Sequence, residues 1–238
     1  MTLNKTINTI KKIDGWLTDN EAKLLYNLAK NAPNKGVIVE IGSWKGKSTI
    51  ALANGSREGK KIKVYAIDPH IGSEEHQKKG KKIWTFDEFK KNIKKAKLND
   101  FVIPLKMTSK EANKKFNKKI ELIFIDGAHD YQNVKTDYEL WFPKIVDGGI
   151  IAFHDTTTWD GPKKLVKEKI FKSRQVKNIR ILDSITYCTK TQNNSKIEFI
   201  KNHLKLLKKE GVEIYYQARY SKKLKFLKKI IKFKPKKY

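Results

Sequence analysis

The sequence predicts an α/β fold built on a doubly wound parallel sheet, and two observations carry this prediction. Between residues 37 and 153, five short runs rich in β-branched residues alternate with segments of helical spacing, which is the pattern of repeated strand–helix–strand units. Farther along, the runs 179–182 and 185–189 are separated by only two residues. So short a link is typical of an antiparallel hairpin.

The first predicted helix begins at Thr18, which fits a capping box with Glu21, and it ends near Asn31. The other elements follow from β-branched runs that end at a polar residue and from apolar residues spaced three and four apart. In chain order they are strand 37–41, a helix that opens near residue 47 or 48, strand 62–67, helix 86–98, strand 101–107, helix 109–116, strand 122–125, helix 131–142, strand 150–153, a helix to about residue 171 and the hairpin.

The chain of 238 residues is long enough to bury one sizeable core, and its composition predicts three segments. We expect a helical N-terminal segment over 1–35, the sheet domain over 36–192 and a basic, mainly helical extension over 193–238. Residues 195–238 contain 15 Lys and Arg against 3 Glu. The extension is therefore expected to lie at the periphery of the protein.

The charge balance favours an anionic partner. Lys and Arg number 53 and Asp and Glu 25, which gives a formal net charge of +28. Only four of the basic residues are arginines, whereas proteins that recognise guanine or phosphate in a fixed geometry usually rely on arginine. A nucleic-acid partner and a merely lysine-rich composition therefore stay open as alternatives.

The single cysteine, Cys188, excludes an internal disulfide framework and favours a reducing, cytoplasmic compartment. No apolar run approaches the length of a membrane span. The first sixteen residues contain lysines but no apolar stretch of the secretory kind. A cytoplasmic location is therefore expected.

The predicted strands end in unusually polar residues. In an open α/β sheet, a ligand lies beyond the carboxyl ends of the strands. A single acidic residue at such a place is as often a helix cap or a loop residue, but several in one sheet point to a site. The residues concerned are Glu40, Asp68, Asp126, His154 and Asp155.

The loop after the first strand has the glycine spacing of a nucleotide site, and three such motifs compete. A phosphate-binding P-loop would need its first glycine where Ile41 stands, and a dinucleotide fingerprint would need glycine in place of Trp44. The third motif, E-x-G-x-x-x-G, fits Glu40, Gly42 and Gly46 and is that of an S-adenosylmethionine (SAM) loop. A carboxylate suits the sulfonium and ammonium of SAM and would repel a pyrophosphate.

Four stretches in this order resemble class I SAM-dependent methyltransferases. They are GWLTDNEAKLLYNLAKNAPNKGVIVEIGSWKGKSTIALA, TFDEFKKNIKKAKLNDFVIPLKMTSKEA, IDGAHDYQNVKTDYELW and GGIIAFHDT. The resemblance covers roughly residues 15–190 and is strongest to the small bacterial branch that includes macrolide sugar O-methyltransferases and cephalosporin-hydroxylase-like proteins. It implies a seven-stranded, mostly parallel sheet of order 3-2-1-4-5-7-6 with strand seven antiparallel.

The resemblance also implies the residues that contact SAM. Asp68 would accept hydrogen bonds from the ribose hydroxyls, and Trp44 would cover part of the pocket. Thr108 and Ser109 fall where the adenine lies in such proteins, although Ser109 is equally expected as the N-cap of the next helix. The remaining predicted cofactor contacts are Glu40, Gly42, Ser43, Gly46, Ser48 and Asp126.

Methyl transfer to a hydroxyl needs a stronger nucleophile, which a divalent cation or a general base supplies. In the sugar-methylating relatives, acidic residues at the positions of Asp126, His154 and Asp155 hold Mg²⁺, so we predict a Mg²⁺ or Mn²⁺ site there. This sequence has His at position 154 where those relatives have Asp; the alternative is that Asp155 caps the next segment and His154 packs or contacts SAM. His129 is the predicted base, with Trp159 beside the acceptor and His70 and His76 on its side of the site.

The predicted function is SAM-dependent O-methylation of a sugar, glycoconjugate or small metabolite. The alternatives are a nucleic-acid methyltransferase and a SAM-binding module without transfer activity. Residues 221–238 place Leu224, Leu227 and Ile231 on one stripe among many lysines, so the tail is expected either to pack on the domain or to contact an anionic membrane. Nothing in the sequence identifies the acceptor or the oligomeric state.

Overall fold

The computed structural model of the chain describes residues 1–73, 83–192 and 194–220. Its helices are α1 (Leu3–Ile10), α2 (Asp19–Lys30), α3 (Lys47–Glu58), α4 (Phe86–Lys95), α5 (Ser109–Lys115), α6 (Tyr131–Trp141), α7 (Asp160–Leu165) and α8 (Lys196–Tyr220), with a 3₁₀ turn at Phe142–Lys144 and a π-helical turn at Val166–Phe171. Its strands are β1 (Val37–Ile41), β2 (Val64–Ile67), β3 (Val102–Leu105), β4 (Ile120–Ile125), β5 (Ile145–Phe153), β6 (Val176–Leu182) and β7 (Ile185–Lys190).

The seven strands form one sheet in the order β3-β2-β1-β4-β5-β7-β6, so the predicted order is confirmed. The first five pair in parallel, while β7 pairs antiparallel with both β5 and β6. The chain moves outward from β1 to β3 and returns to β4 beside β1. This reversal creates a switch point at the carboxyl ends of β1 and β4, where such sheets bind ligands.

Helices cover both faces of the sheet, as the doubly wound prediction requires. Ile38 of β1 packs into one buried cluster, and its neighbours Val39 and Ile41 pack into the other. Ile10 of α1 and Leu25 of α2 belong to the first cluster. The N-terminal helices therefore share a hydrophobic core with the sheet, because β1 contributes to both sides.

Several elements differ from the sequence prediction, and three of the differences bear on the fold. Strand β5 begins at Ile145 rather than at residue 150, because Gly148, with φ +79°, forms an irregularity inside the strand instead of ending it. The α-helix after β5 spans only Asp160–Leu165, and the rest of the helix predicted to reach about residue 171 is a π-helical turn. Helix α1 lies in the segment 1–35 that is expected to be helical, but its bounds were not predicted, because eight residues give too short a periodic signal.

Helix α8 packs on β6 and on the π-helical turn. Leu206 is buried there, and the Asn202 amide donates to the Val176 carbonyl oxygen over 3.1 Å. His76 and the predicted membrane tail 221–238 lie outside the described residues. Within the part of the chain that is described, no helix has both the length and the apolar character needed to cross a membrane.

Candidate active site

Of the eight described non-glycine residues with positive φ, in the left-handed region, three lie just beyond the carboxyl ends of parallel strands. Trp44 follows β1 with φ +46°, His70 follows β2 with φ +61° and Asp155 follows β5 with φ +58°. Non-glycine residues avoid this region unless the surrounding structure holds them in it, and such residues concentrate at functional sites. The strained positions coincide with the strand ends that the sequence marked as polar.

Asp68, at the end of β2, fixes the loops that follow β1 and β2. Its Oδ2 accepts a hydrogen bond from the Trp44 backbone N–H over 2.7 Å, and its Oδ1 accepts one from the His70 N–H over 2.6 Å. The carboxylate therefore lies beside the predicted SAM loop. Each oxygen has a second lone pair with which it could accept a further donor.

Glu40 is fully buried at the end of β1. The Thr49 hydroxyl donates to its carboxylate, and the nearby Ser48 hydroxyl favours the ionised form of Glu40. Burial, reinforced by the charges of Asp126 and Asp68, raises the pKa of Glu40 to about 8. A group that approaches with a positive charge would favour the ionised carboxylate.

Two buried polar atoms of the loop have no hydrogen-bond partner among the described residues. They are Oε1 of Glu40 and the hydroxyl of Ser43. A buried polar atom left unsatisfied costs about 1–3 kcal/mol, so a ligand or water that reaches these atoms would be stabilised. The predicted SAM contacts thus include two residues that each have a polar atom without a partner in the described part of the chain.

The two glycines of the loop are required by the backbone. Gly42 has φ +87°, and a Cβ there would lie 2.1 Å from the carbonyl oxygen of Asp126. Gly46 has φ +88° and precedes the first residue of α3. Both positions therefore favour glycine before any ligand is considered, and their predicted contact with SAM stays a prediction.

Thr108, not Ser109, is the N-cap of α5. The Thr108 hydroxyl accepts from the Glu111 N–H, and the Glu111 carboxylate accepts from the Thr108 N–H, which completes a capping box. The expectation that Ser109 caps this helix is therefore wrong; its hydroxyl accepts from the Trp141 indole N–H over 2.8 Å. Both hydroxyls have partners within the protein, and their contact with adenine stays a prediction.

The structure brings the predicted metal ligands together at the ends of β4 and β5. One ligand atom from each of Asp126, His154 and Asp155 lies within 4.8 Å of the others. Nδ1 of His154 is 3.0 Å from Asp126 Oδ1 and 3.1 Å from Asp155 Oδ2, but neither contact has hydrogen-bond geometry. A buried imidazole nitrogen thus lies between two carboxylates without a directed partner.

Glu21 completes this group and was missed as a site residue. Its Oε2 lies 3.4 Å from His154 Nε2, while its Oε1 accepts from the Ser184 N–H over 3.0 Å and from the Ser184 hydroxyl over 2.6 Å. Burial alone would raise the pKa of Glu21, but the hydrogen bonds from His154 and Ser184 outweigh it and lower the pKa to about 2. The sequence signalled only its role in the capping box.

His154 is electrostatically favoured as an imidazolium in this arrangement. Burial opposes its charge, but Asp126, Asp155 and Glu21 raise the pKa of the imidazole to about 12. Burial would likewise raise the pKa of Asp155, yet the nearby imidazoles of His129 and His154 hold it well below its usual value. The group is therefore a network of opposite charges at the switch point.

His129 is attached to the same network from the loop after β4. Its Nε2 lies 3.1 Å from Asp155 Oδ2, and its ring stacks on Trp159 with centroids 4.3 Å apart and planes 14° from parallel. Trp159 is exposed, and its predicted place beside the acceptor stays a prediction. The ring of His70 is buried against Phe86 and Phe89, and its predicted place on the acceptor side of the site stays a prediction.

The comparison with protein families agrees with this geometry. Residues 39–156 match a family described as a methyltransferase domain. This match and the fold support a class I SAM-dependent methyltransferase, as the sequence predicts.

The individual relatives are distant. An uncharacterized protein of Acanthamoeba polyphaga mimivirus is 31% identical over 137 residues, and the match spans 56% of this chain but only 57% of that protein. The O-methyltransferase NovP shares 18% identity with a TM-score of 0.59, over 80% of this chain and 79% of NovP. The O-methyltransferase from Bacillus cereus in complex with S-adenosylhomocysteine shares 21% identity with a TM-score of 0.55, over 79% and 90%. At these identities the structural likeness establishes the fold alone.

Proposed function

We propose that the chain transfers the methyl group of SAM to a hydroxyl oxygen of a sugar, glycoconjugate or small metabolite. The observation that carries this proposal is the network of His129, Asp155, His154 and Asp126 beside the switch point, because oxygen acceptors need a base or a cation at that place. Both solved structures named above are titled O-methyltransferases, which supports the same acceptor atom.

The reaction is an in-line displacement at the methyl carbon. The acceptor oxygen forms the new C–O bond, the C–S bond breaks, and its electron pair stays on sulfur to give the neutral thioether S-adenosylhomocysteine. The acceptor proton must leave, and His129 is the group proposed to take it. An imidazole that donates from Nε2 to Asp155 accepts a proton at Nδ1, so Asp155 fixes the tautomer that the base requires.

The loop after β1 is proposed to hold the methionine part of SAM. The unpartnered Glu40 Oε1 and Ser43 hydroxyl are the groups available to its ammonium and carboxylate. Asp68 is proposed to accept from the ribose hydroxyls with the lone pairs that its backbone bonds leave. These assignments follow the polarity of each group, because an acid suits a cation and a hydroxyl suits either charge.

Asp126, His154 and Asp155 fit a divalent cation, which we propose as a second component of the site. The buried Nδ1 of His154 has no directed partner among the described residues and would release its proton when it binds the ion. Glu21 at Nε2 would orient the ring as outer carboxylates orient metal-bound histidines. Imidazole is a better ligand for Mn²⁺ than for Mg²⁺. When bound, the ion would lower the pKa of the acceptor hydroxyl.

The experiment supplies SAM with a labelled methyl group and a panel of hydroxylated sugars, glycosides and small alcohols, and follows label in each acceptor. We expect transfer to at least one acceptor, loss of transfer in EDTA and recovery with Mn²⁺. His129→Ala should lose about 10²–10⁴-fold in kcat with SAM binding intact, while the control His203→Ala on α8 should keep its rate. Full activity in EDTA would show that no metal ion is needed. An unchanged rate for His129→Ala would show that His129 is not the base.

Methyl transfer to nucleic acid is a second candidate, favoured by the net charge of +28. Mixed RNA and DNA therefore form a separate arm of the same assay. Transfer of label to RNA or DNA, together with binding that weakens steeply with salt, would identify nucleic acid as the acceptor in place of a hydroxylated small molecule.

A further inference from the structure

Helix α8 uses only one of its faces to pack on the domain. Asn202, Leu206 and Lys209 are buried, and they lie four and three residues apart along one side of the helix. The Lys209 ammonium donates to the carbonyl oxygen of Thr156 over 3.0 Å. These contacts fix which way the rest of the helix surface points.

An apolar stripe lies on the outward side of α8. Its members follow the spacing of three, four and three residues that one helical face requires, and each exposes more than half of its surface. They are Ile197 at 67%, Ile200 at 57%, Leu204 at 58% and Leu207 at 62%. Single exposed apolar residues are common on proteins, but a continuous row of four marks an interaction surface.

The exposed charged side chains beside this apolar stripe are lysines. Lys196 and Lys208 are exposed, and Lys201 is exposed with its ammonium 3.8 Å from Glu198. The two acids of this part of the helix face the domain: the Glu198 carboxylate accepts from the Asn178 N–H over 3.0 Å, and the Glu210 carboxylate pairs with Lys167. The outward face of α8 therefore combines apolar side chains with lysines.

We propose that this face of α8 docks the protein on an anionic lipid bilayer. A helix that lies in the plane of the interface buries its apolar side chains at the acyl boundary and leaves its lysines among the lipid phosphates. A second copy of the chain fits less well, because its lysines would meet those of the first across the interface. Nucleic acid fits less well, because it offers no apolar surface to the four side chains.

The proposal rests on α8 alone and does not depend on the methyl acceptor. The tail that the sequence predicts for the same role carries no part of the argument, since it lies outside the described residues. Docking through α8 would hold the methyltransferase domain beside the bilayer surface.

The test is flotation of the full chain with vesicles of phosphatidylcholine, alone or mixed with phosphatidylglycerol. We expect flotation only with the anionic vesicles and a smaller floated fraction as salt is raised. The double variant Ile200→Ser/Leu204→Ser should bind about tenfold more weakly or worse, because it removes two apolar side chains from the interface. Ile71→Ser, at an exposed apolar residue after β2, is the matched control and should float like the wild type.

Three results would overturn the proposal. The first is failure of the wild type to float with anionic vesicles, or equal flotation with neutral ones. The second is wild-type flotation of the double variant. The third is a wild-type dimer in sedimentation that becomes a monomer in the double variant, because the stripe would then be covered by a second copy. Circular dichroism of the variants shows that the fold is kept.

Discussion

Several side chains at the strand ends both stabilise the surrounding structure and belong to the proposed site. Asp68 holds two loop backbones and is proposed to bind ribose, and Asp155 contacts both His129 and His154. Glu40 is buried with one unpartnered oxygen. The site is thus preorganised by the groups that are proposed to bind and react, which limits the rearrangement needed when a ligand arrives.

The raised pKa of Glu40 predicts that SAM binding is coupled to the release of a proton. Because burial raises its pKa to about 8, Glu40 is mostly protonated at neutral pH in the ligand-free protein. The positive charges of SAM favour the ionised form, so SAM binding at neutral pH should release a proton. Calorimetry in two buffers with different ionisation enthalpies measures this release directly.

Glu40→Gln should abolish the proton release, while Glu121→Gln, at a buried glutamate of β4, should leave it unchanged. The raised pKa of Glu40 also determines how the stability of the ligand-free protein depends on pH. The folded chain keeps this proton to a higher pH than the unfolded chain, so ligand-free stability should fall as pH rises from about 4.5 to about 8. Identical heats in both buffers would show that Glu40 does not face a cation of SAM.

At this scale the sequence predicted the polar strand ends but not their connections. Asp126, His154 and Asp155 follow β-branched runs, so topology alone places them together. Glu21 reaches His154 across 133 residues, and no local pattern encodes that contact. Thr108 was predicted as a ligand contact rather than as a cap, because its partner Glu111 was not recognised as the third residue of the helix.

At the level of elements, helix α2 is joined to the β6–β7 turn through the Glu21 carboxylate. Glu21→Ala would remove the acceptor for Ser184 and leave His154 Nε2 without its partner. Loss of one partner from a buried charge network costs about 3–5 kcal/mol, so urea unfolding should show destabilisation of roughly 3 kcal/mol.

Glu111→Ala is the matched control for that experiment. Glu111 is also the third residue of a helix and also closes a capping box, but it is exposed and contacts no buried charge. Its loss should cost much less than the loss of Glu21, because an exposed carboxylate leaves no buried group without its partner. Equal losses in the two variants would mean that Glu21 serves only as a cap.

The regular elements were predictable wherever the periodicity was strong, as in β1, β4 and α2. The prediction of elements was wrong where a local sequence pattern was compatible with two structures. The pair Gly148-Gly149 suggested a break but lies inside β5, because pairing on both sides holds the strand through the irregularity. Helix α1 depends on contacts with α2 and α3, which its own eight residues do not reveal.

For the whole molecule, the order of the strands decides where the site lies. Residues from the ends of β1, β2, β4 and β5 meet only because the chain reverses its direction across the sheet between β3 and β4. Alternation of strands and helices predicted a parallel sheet, while the full order of seven strands came from the resemblance to methyltransferases. The exposed stripe on α8 could not be predicted, because exposure depends on which face packs.

Calorimetric titration with SAM tests the central claim most directly, since it needs no knowledge of the acceptor. The account predicts that the wild type binds SAM and that Asp68→Ala binds about tenfold to a hundredfold more weakly, because hydrogen bonds worth about 1–3 kcal/mol are lost. Asp100→Ala, at an exposed acid, should bind like the wild type. Absence of SAM binding by the wild type, or unchanged binding by Asp68→Ala, would contradict the placement of SAM at the ends of β1 and β2.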